Sequence, residues 1–112
     1  PVEFRVVGEP RRIPAGIELA VYRIIQEALT NTMKHAGRDT RTTVEVAYAP
    51  TTLTAQIIDS GAFAMPGKAP AGGQGLVGMR ERAVLYHGEV RAGVRPAGGF
   101  EVVATFPTPV RA

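Results

Sequence analysis

Cysteine is absent from this chain of 112 residues, which excludes a disulfide framework and thiolate chemistry. Histidine is scarce, and His35 and His87 stand too far apart for a zinc site, so any metal would be held by oxygen. No apolar run approaches the ~20 residues that cross a bilayer, and no membrane contact is expected of this chain. The opening Pro1-Val2-Glu3 carries neither Met nor a signal pattern, as expected of a piece of something longer. Repeats, low-complexity tracts and Ser/Gly-rich or charge-rich linkers are lacking too, so the expectation is a single domain over residues 1–112.

What is present suits a packed fold, with 45% hydrophobic residues. The net charge of +3 and pI of about 9.8 come mainly from arginines scattered from Arg5 to Arg95. A nucleic-acid reader more often gathers them on one face between aromatics, so no direct nucleic-acid contact is expected. Attraction of an anionic ligand suits the charge equally well.

The longest organised stretch runs from Ile13 to Gly37. Pro14 suits a first turn, Gly37 can stop a helix, and nothing between Ile17 and His35 breaks one. At about 100° per residue, Ile17, Val21, Ile24, Ile25, Ala28 and Leu29 share an apolar arc opposite Arg23, Gln26, Thr30 and Lys34. Before this helix, Val2 to Val7 alternates as a strand with one buried face should. After it, Thr42–Tyr48 and Leu53–Asp59 read as a hairpin, and Ser60 to Gly73 is a Gly/Pro-rich loop. Loops of that length are usually lids or binding loops, although an inert insertion has the same composition. A second helix is expected from Gln74 to His87, closed by Gly88, with Leu76, Met79, Ala83 and Tyr86 at helical spacing. Glu89–Val94 and Phe100–Phe106 then flank a glycine-bearing turn. About five strands and two helices, with the helices on one face of a mixed sheet, give an α+β two-layer sandwich.

Glu27 and Asn31 stack on one side of the helix, at the seam of its apolar and polar arcs. They could be a plain helix-edge pair. They are also oxygen donors of the kind Mg²⁺ prefers, and a carboxylate can orient a water or accept a proton. Asp59 ends an apolar strand beside Ser60-Gly61. It can act as a turn-former, or accept an N–H from a flat ring that Gly61 lets come close. Gly73-Gln74-Gly75-Leu76-Val77-Gly78 matches G-x-G-x-x-G, but no strand precedes it and no acidic residue closes a second parallel strand, so a Rossmann site is rejected. The other phosphate loop, G-x-x-x-x-G-K-[ST], is absent. Glycines before a helix start nonetheless leave N–H groups and a positive dipole end open to an anion.

Two stretches carry a specific resemblance. Tyr22-Arg23-Ile24-Ile25-Gln26-Glu27-Ala28-Leu29-Thr30-Asn31 with Lys34-His35-Ala36 resembles an N box, and Gly75-Leu76-Val77-Gly78-Met79-Arg80-Glu81-Arg82 a second glycine box. By these the chain resembles the ATP-binding, Bergerat-type domain of two-component sensor histidine kinases, in the superfamily with gyrase, heat-shock-protein 90 and MutL. It looks most like the subfamily that partners LuxR/NarL-type response regulators. The first glycine box departs from D-x-G-x-G, since Asp59-Ser60-Gly61-Ala62-Phe63 has Phe63 where the second glycine is expected.

The resemblance implies ATP and Mg²⁺ as cofactors. It implies that Asn31 binds Mg²⁺, that Glu27 is the catalytic acid/base or water-orienting carboxylate, and that Lys34 and His35 lie near the phosphates. Asp59 and Gly61 would receive the adenine, while Gly73, Gly75, Leu76 and Gly78 would line the phosphate side. It further implies transfer of the γ-phosphate to a histidine on a dimerisation domain that is not in this chain, in a homodimeric, cytoplasmically facing parent. Alternatives of the same fold are a degenerate interaction module, motivated by Phe63, and an anti-sigma-factor serine kinase. Arg80, on the apolar arc of the second helix, could snorkel outward, contact the phosphates or meet a neighbouring domain.

Overall fold

A computed structural model of the chain describes residues 2–35, 40–60, 73–96 and 98–108; of these, nothing is said of the side chains of 34, 35 and 73–75. In chain order the elements are β1 (Val2–Val7), α1 (Ala15–His35), β2 (Thr42–Tyr48), β3 (Thr52–Asp59), α2 (Gly73–Val84), β4 (Glu89–Val94) and β5 (Phe100–Pro107). The strands form one sheet in the order β1-β2-β3-β5-β4, with β1 parallel to β2 and every other pair antiparallel. A parallel pair needs a crossover, and α1 supplies it between β1 and β2.

The period-2 pattern decides which side chains meet the helices. In β2 the inward row is Thr42, Val44 and Val46; in β3 it is Leu53, Ala55, Ile57 and Asp59; in β5 it is Val102, Ala104 and Phe106, all buried. Against them α1 lays Ile17, Ala20, Val21, Ile24 and Ala28, with Ile25 and Leu29 partly buried, and α2 adds Met79 and Ala83. Phe106, Ile24 and Val44 are the largest fully enclosed side chains.

Two local expectations change, and the alternatives left open for Arg80 are narrowed. First, β1 is exposed along its whole length, including Val2, Phe4 and Val6. Those residues lie in register with Thr42, Val44 and Val46, so they point to the helix side. α1 packs chiefly on β3, β5 and β2, however, and leaves this outer strand uncovered. Second, α2 ends at Val84, and the residue that turns the chain is His87, at φ 63°, not Gly88. His87 N–H donates to the Val84 carbonyl at 3.1 Å and Gly88 N–H to that of Ala83 at 2.8 Å, the paired bonds of a Schellman ending. Gly88 is needed for a different reason: a Cβ there would run into the buried ring of Phe106. Arg80 is exposed, and its Nε donates to the Val90 carbonyl at 3.3 Å, which ties α2 to the edge strand β4.

At one end of the sheet, Arg11 donates to Thr108 Oγ1 at 2.5 Å and to the Pro50 carbonyl at 3.4 Å, joining three distant segments. The candidate site lies at the other end.

Candidate functional site

The strand alternation that buries Leu53, Ala55 and Ile57 carries on to Asp59, so a carboxylate fills a slot meant for a core side chain. Asp59 is 3% exposed, and among the described residues it is the one charged side chain in the buried set. Ionisable groups are rarely enclosed without partners. Directly across the ladder stands Thr42, also buried, and from above the Thr32 hydroxyl donates to Asp59 Oδ2 at 3.3 Å. One end of an apolar core is thus floored by two threonines and a carboxylate drawn from α1, β2 and β3.

Thr32 follows Asn31 on α1, so the bond from Thr32 fixes the end of β3 against the helical turn that carries Asn31. Glu27 lies one turn earlier, and both Glu27 and Asn31 are half-buried. Beyond Asp59 the backbone is pinned twice: Ser60 N–H donates to the Arg41 carbonyl at 2.9 Å, and Arg41 N–H donates to Ser60 Oγ at 3.0 Å. From the other side Gly99, at φ 88°, presses so closely on the Asp59 carbonyl that no Cβ would fit. The carboxylate therefore sits at a strand end held on three sides.

The first turn of α2 is built from Gly73, Gln74, Gly75 and Leu76. The first four N–H groups of a helix have no partner inside it, and side-chain-free residues leave them accessible. Gly78 has open space where a Cβ would be. The glycine run is thus helical from Gly73, one residue ahead of the start expected at Gln74. Gly16, in the first turn of α1, lies against the ring of Tyr86, just past the end of α2, and α1 packs on α2. The start of α1 therefore lies beside the end of α2.

Among the described residues no three His, Cys, Asp or Glu side chains gather as a cation site. The carboxamide of Asn31 is an oxygen donor of the kind a hard divalent cation accepts. Gly61 and Phe63 lie outside the described residues, as do all of residues 61–72, where the lid was expected, and so do the side chains of Lys34 and His35. Sequence reasoning missed Thr32, Thr42 and Gly99. For the first two a signal was present: polar residues sat at positions that the helix and strand periods assign to the interior.

This fold is shared with solved structures. The catalytic domain of the histidine kinase ThkA superposes with a TM-score of 0.74 at 16% identity, covering 95% of this chain and 78% of that one. The mycobacterial sensor histidine kinase MprB gives 0.71 at 20% identity, covering 98% and 86%. The sequence profile of the histidine kinase-, DNA gyrase B- and HSP90-like ATPases matches residues 16–110. The chain belongs to that ATPase family. Within it, the chain is 33% identical over 106 residues to the signal transduction histidine-protein kinase/phosphatase DegS of Brevibacillus brevis, covering 95% of this chain and 27% of that protein. It is also 33% identical over 105 residues to the sensor histidine kinase LnrJ of Bacillus subtilis, covering 93% and 25%. The ATPase-family domain thus spans about a quarter of the length of these sensor kinases. Among its described residues no helix is long and apolar enough to cross a membrane.

Proposed function

We propose that this domain binds Mg²⁺-ATP and presents the γ-phosphate to a histidine on a separate dimerisation domain, within a sensor kinase that signals to a LuxR/NarL-type response regulator. The observation that carries the reading is the buried carboxylate of Asp59, held by Thr32 next to Asn31. A carboxylate accepts hydrogen bonds and cannot donate them, so at a dry strand end it favours an exocyclic amine and rejects a carbonyl oxygen in the same place. Adenine carries the amine there; guanine carries the carbonyl. Asn31 would supply an oxygen to the metal, Glu27 would orient a water or accept a proton, and the amides of Gly73, Gly75 and Leu76, with the open side of Gly78, would receive the phosphates. Lys34 and His35 belong to the same phosphate side and Gly61 to the adenine side. Phosphoryl transfer then depends on positioning and charge neutralisation more than on covalent chemistry by the protein.

The test is titration calorimetry with ATP and GTP, with and without Mg²⁺. Wild-type binding in the micromolar to submillimolar range, at least tenfold weaker for GTP, and loss of the Mg²⁺-dependent part in Asn31→Ala are expected. Absence of binding at millimolar ATP would overturn the reading in favour of a non-catalytic module of the same fold. With γ-labelled ATP the 112-residue chain by itself should take up no label, since neither His35, in the N box, nor His87, in a turn, is the receiving histidine.

A further inference from the structure

The two edges of the sheet are treated differently. At β4 the Val90 carbonyl is taken by Arg80, and Gly93 weakens the strand. At β1, among the described residues, Val2-Glu3-Phe4-Arg5-Val6-Val7 carries two charges of opposite sign but no Lys and no Pro, every residue is exposed, and the helix-side row of Val2, Phe4 and Val6 is 53% to 59% accessible. Natural edge strands are usually blunted by such devices, because an open edge templates another strand. On the opposite face Glu3 and Arg5 lie 3.6 Å apart as an exposed pair of opposite charge.

We infer that β1 pairs antiparallel with β1 of a second copy of this chain, about a two-fold axis through Phe4. The charges select both direction and register. In this alignment Glu3 stands opposite Arg5 of the other copy, twice by symmetry, Val2 stands opposite Val6, and Phe4 meets Phe4. Sliding by two residues, the smallest step that keeps the apolar row on one face, sets Glu3 against Glu3 in one direction and Arg5 against Arg5 in the other. A parallel in-register pair stacks both like charges. Opposite charges directly across a ladder stabilise and like charges destabilise, so one register survives, and it closes on itself where a shifted parallel pairing would propagate. The aromatic pair on the axis adds offset-stacking attraction. The interface is small, so association is weak and concentration-dependent.

Sedimentation velocity over a concentration series, with thermal unfolding as the check on folding, tests this. The wild type should dimerise reversibly. Glu3→Arg alone and Arg5→Glu alone should each weaken the dimer about tenfold or more, since two pairs turn repulsive at roughly 1 kcal/mol each. An equimolar mixture of the two variants, whose charges complement one another, should restore association to within about threefold of wild type. Because the chain has no cysteine, a second readout is clean: Phe4→Cys should give a disulfide-linked dimer under mild oxidation, since opposed Cα atoms lie about 4.5–5.5 Å apart. Val2→Cys, whose mate would be Val6, should not. A wild type that stays monomeric at millimolar concentration, a mixture that fails to rescue, or equal cross-linking at positions 2 and 4 would each overturn the proposal.

Discussion

A carboxylate enclosed at the end of an apolar strand is held only by what surrounds it, and for Asp59 that includes the Thr32 hydroxyl at 3.3 Å. One such bond contributes about 1 kcal/mol. Thr32→Val should therefore weaken ATP about fivefold through a less well-placed Asp59, with Tm within a few degrees of wild type. Calorimetry beside thermal unfolding checks this, and unchanged affinity would show that Asp59 does not rely on Thr32. His87 presents the opposite case, a side chain held at φ 63° where glycine is at ease. His87→Gly relieves that strain, loses part of the gain to chain entropy, and should stabilise by about 0.5–1 kcal/mol in urea titration.

Between elements, glycines set how closely the layers approach. Gly88 faces the ring of Phe106, which is fully buried and cannot swing aside, with the Thr105 carbonyl close behind. Gly88→Ala should destabilise by about 1–3 kcal/mol, the range for overpacking, read as a lower urea midpoint at unchanged slope. Gly16 differs although its neighbour is also an aromatic ring. Tyr86 is 37% exposed and its far end can rotate away. Gly16→Ala should accordingly be close to neutral, the helix-propensity gain of up to ~1 kcal/mol offsetting the displaced ring. The decisive quantity is the freedom of the neighbour, not the size of the clash.

For the molecule as a unit, a ligand that binds only the folded state adds stability by mass action, about 2.7 kcal/mol at a hundredfold excess over Kd. In a chain of 112 residues that corresponds to roughly 8–12 °C in Tm. Mg²⁺-ATP should raise Tm by that amount, while Asn31→Ala at the same nucleotide concentration should show little shift. A thermal-shift series resolves the two. An equal rise in the variant would mean that the stabilising contacts lie away from the last turn of α1.

Much of this was legible along the chain. The period of 3.6 marks α1 and the period of 2 marks the strands, because an element of a layered fold usually buries one face, and the N box and second glycine box point to the ATPase family independently of the fold. Other features depend on which element lies over which. That β1 has no buried face follows from α1 settling over β3, β5 and β2, a choice of packing that no local pattern in Val2 to Val7 encodes. That Asp59 meets Thr32, or that Gly99 underpins Asp59, requires contacts across 27 and 40 positions of chain. The residues by themselves determined the elements, the apolar faces and the oxygen donors at their ends. Only the tertiary structure decided which of those ends converge, because burial is satisfied pairwise between surfaces while sequence patterns report one surface at a time.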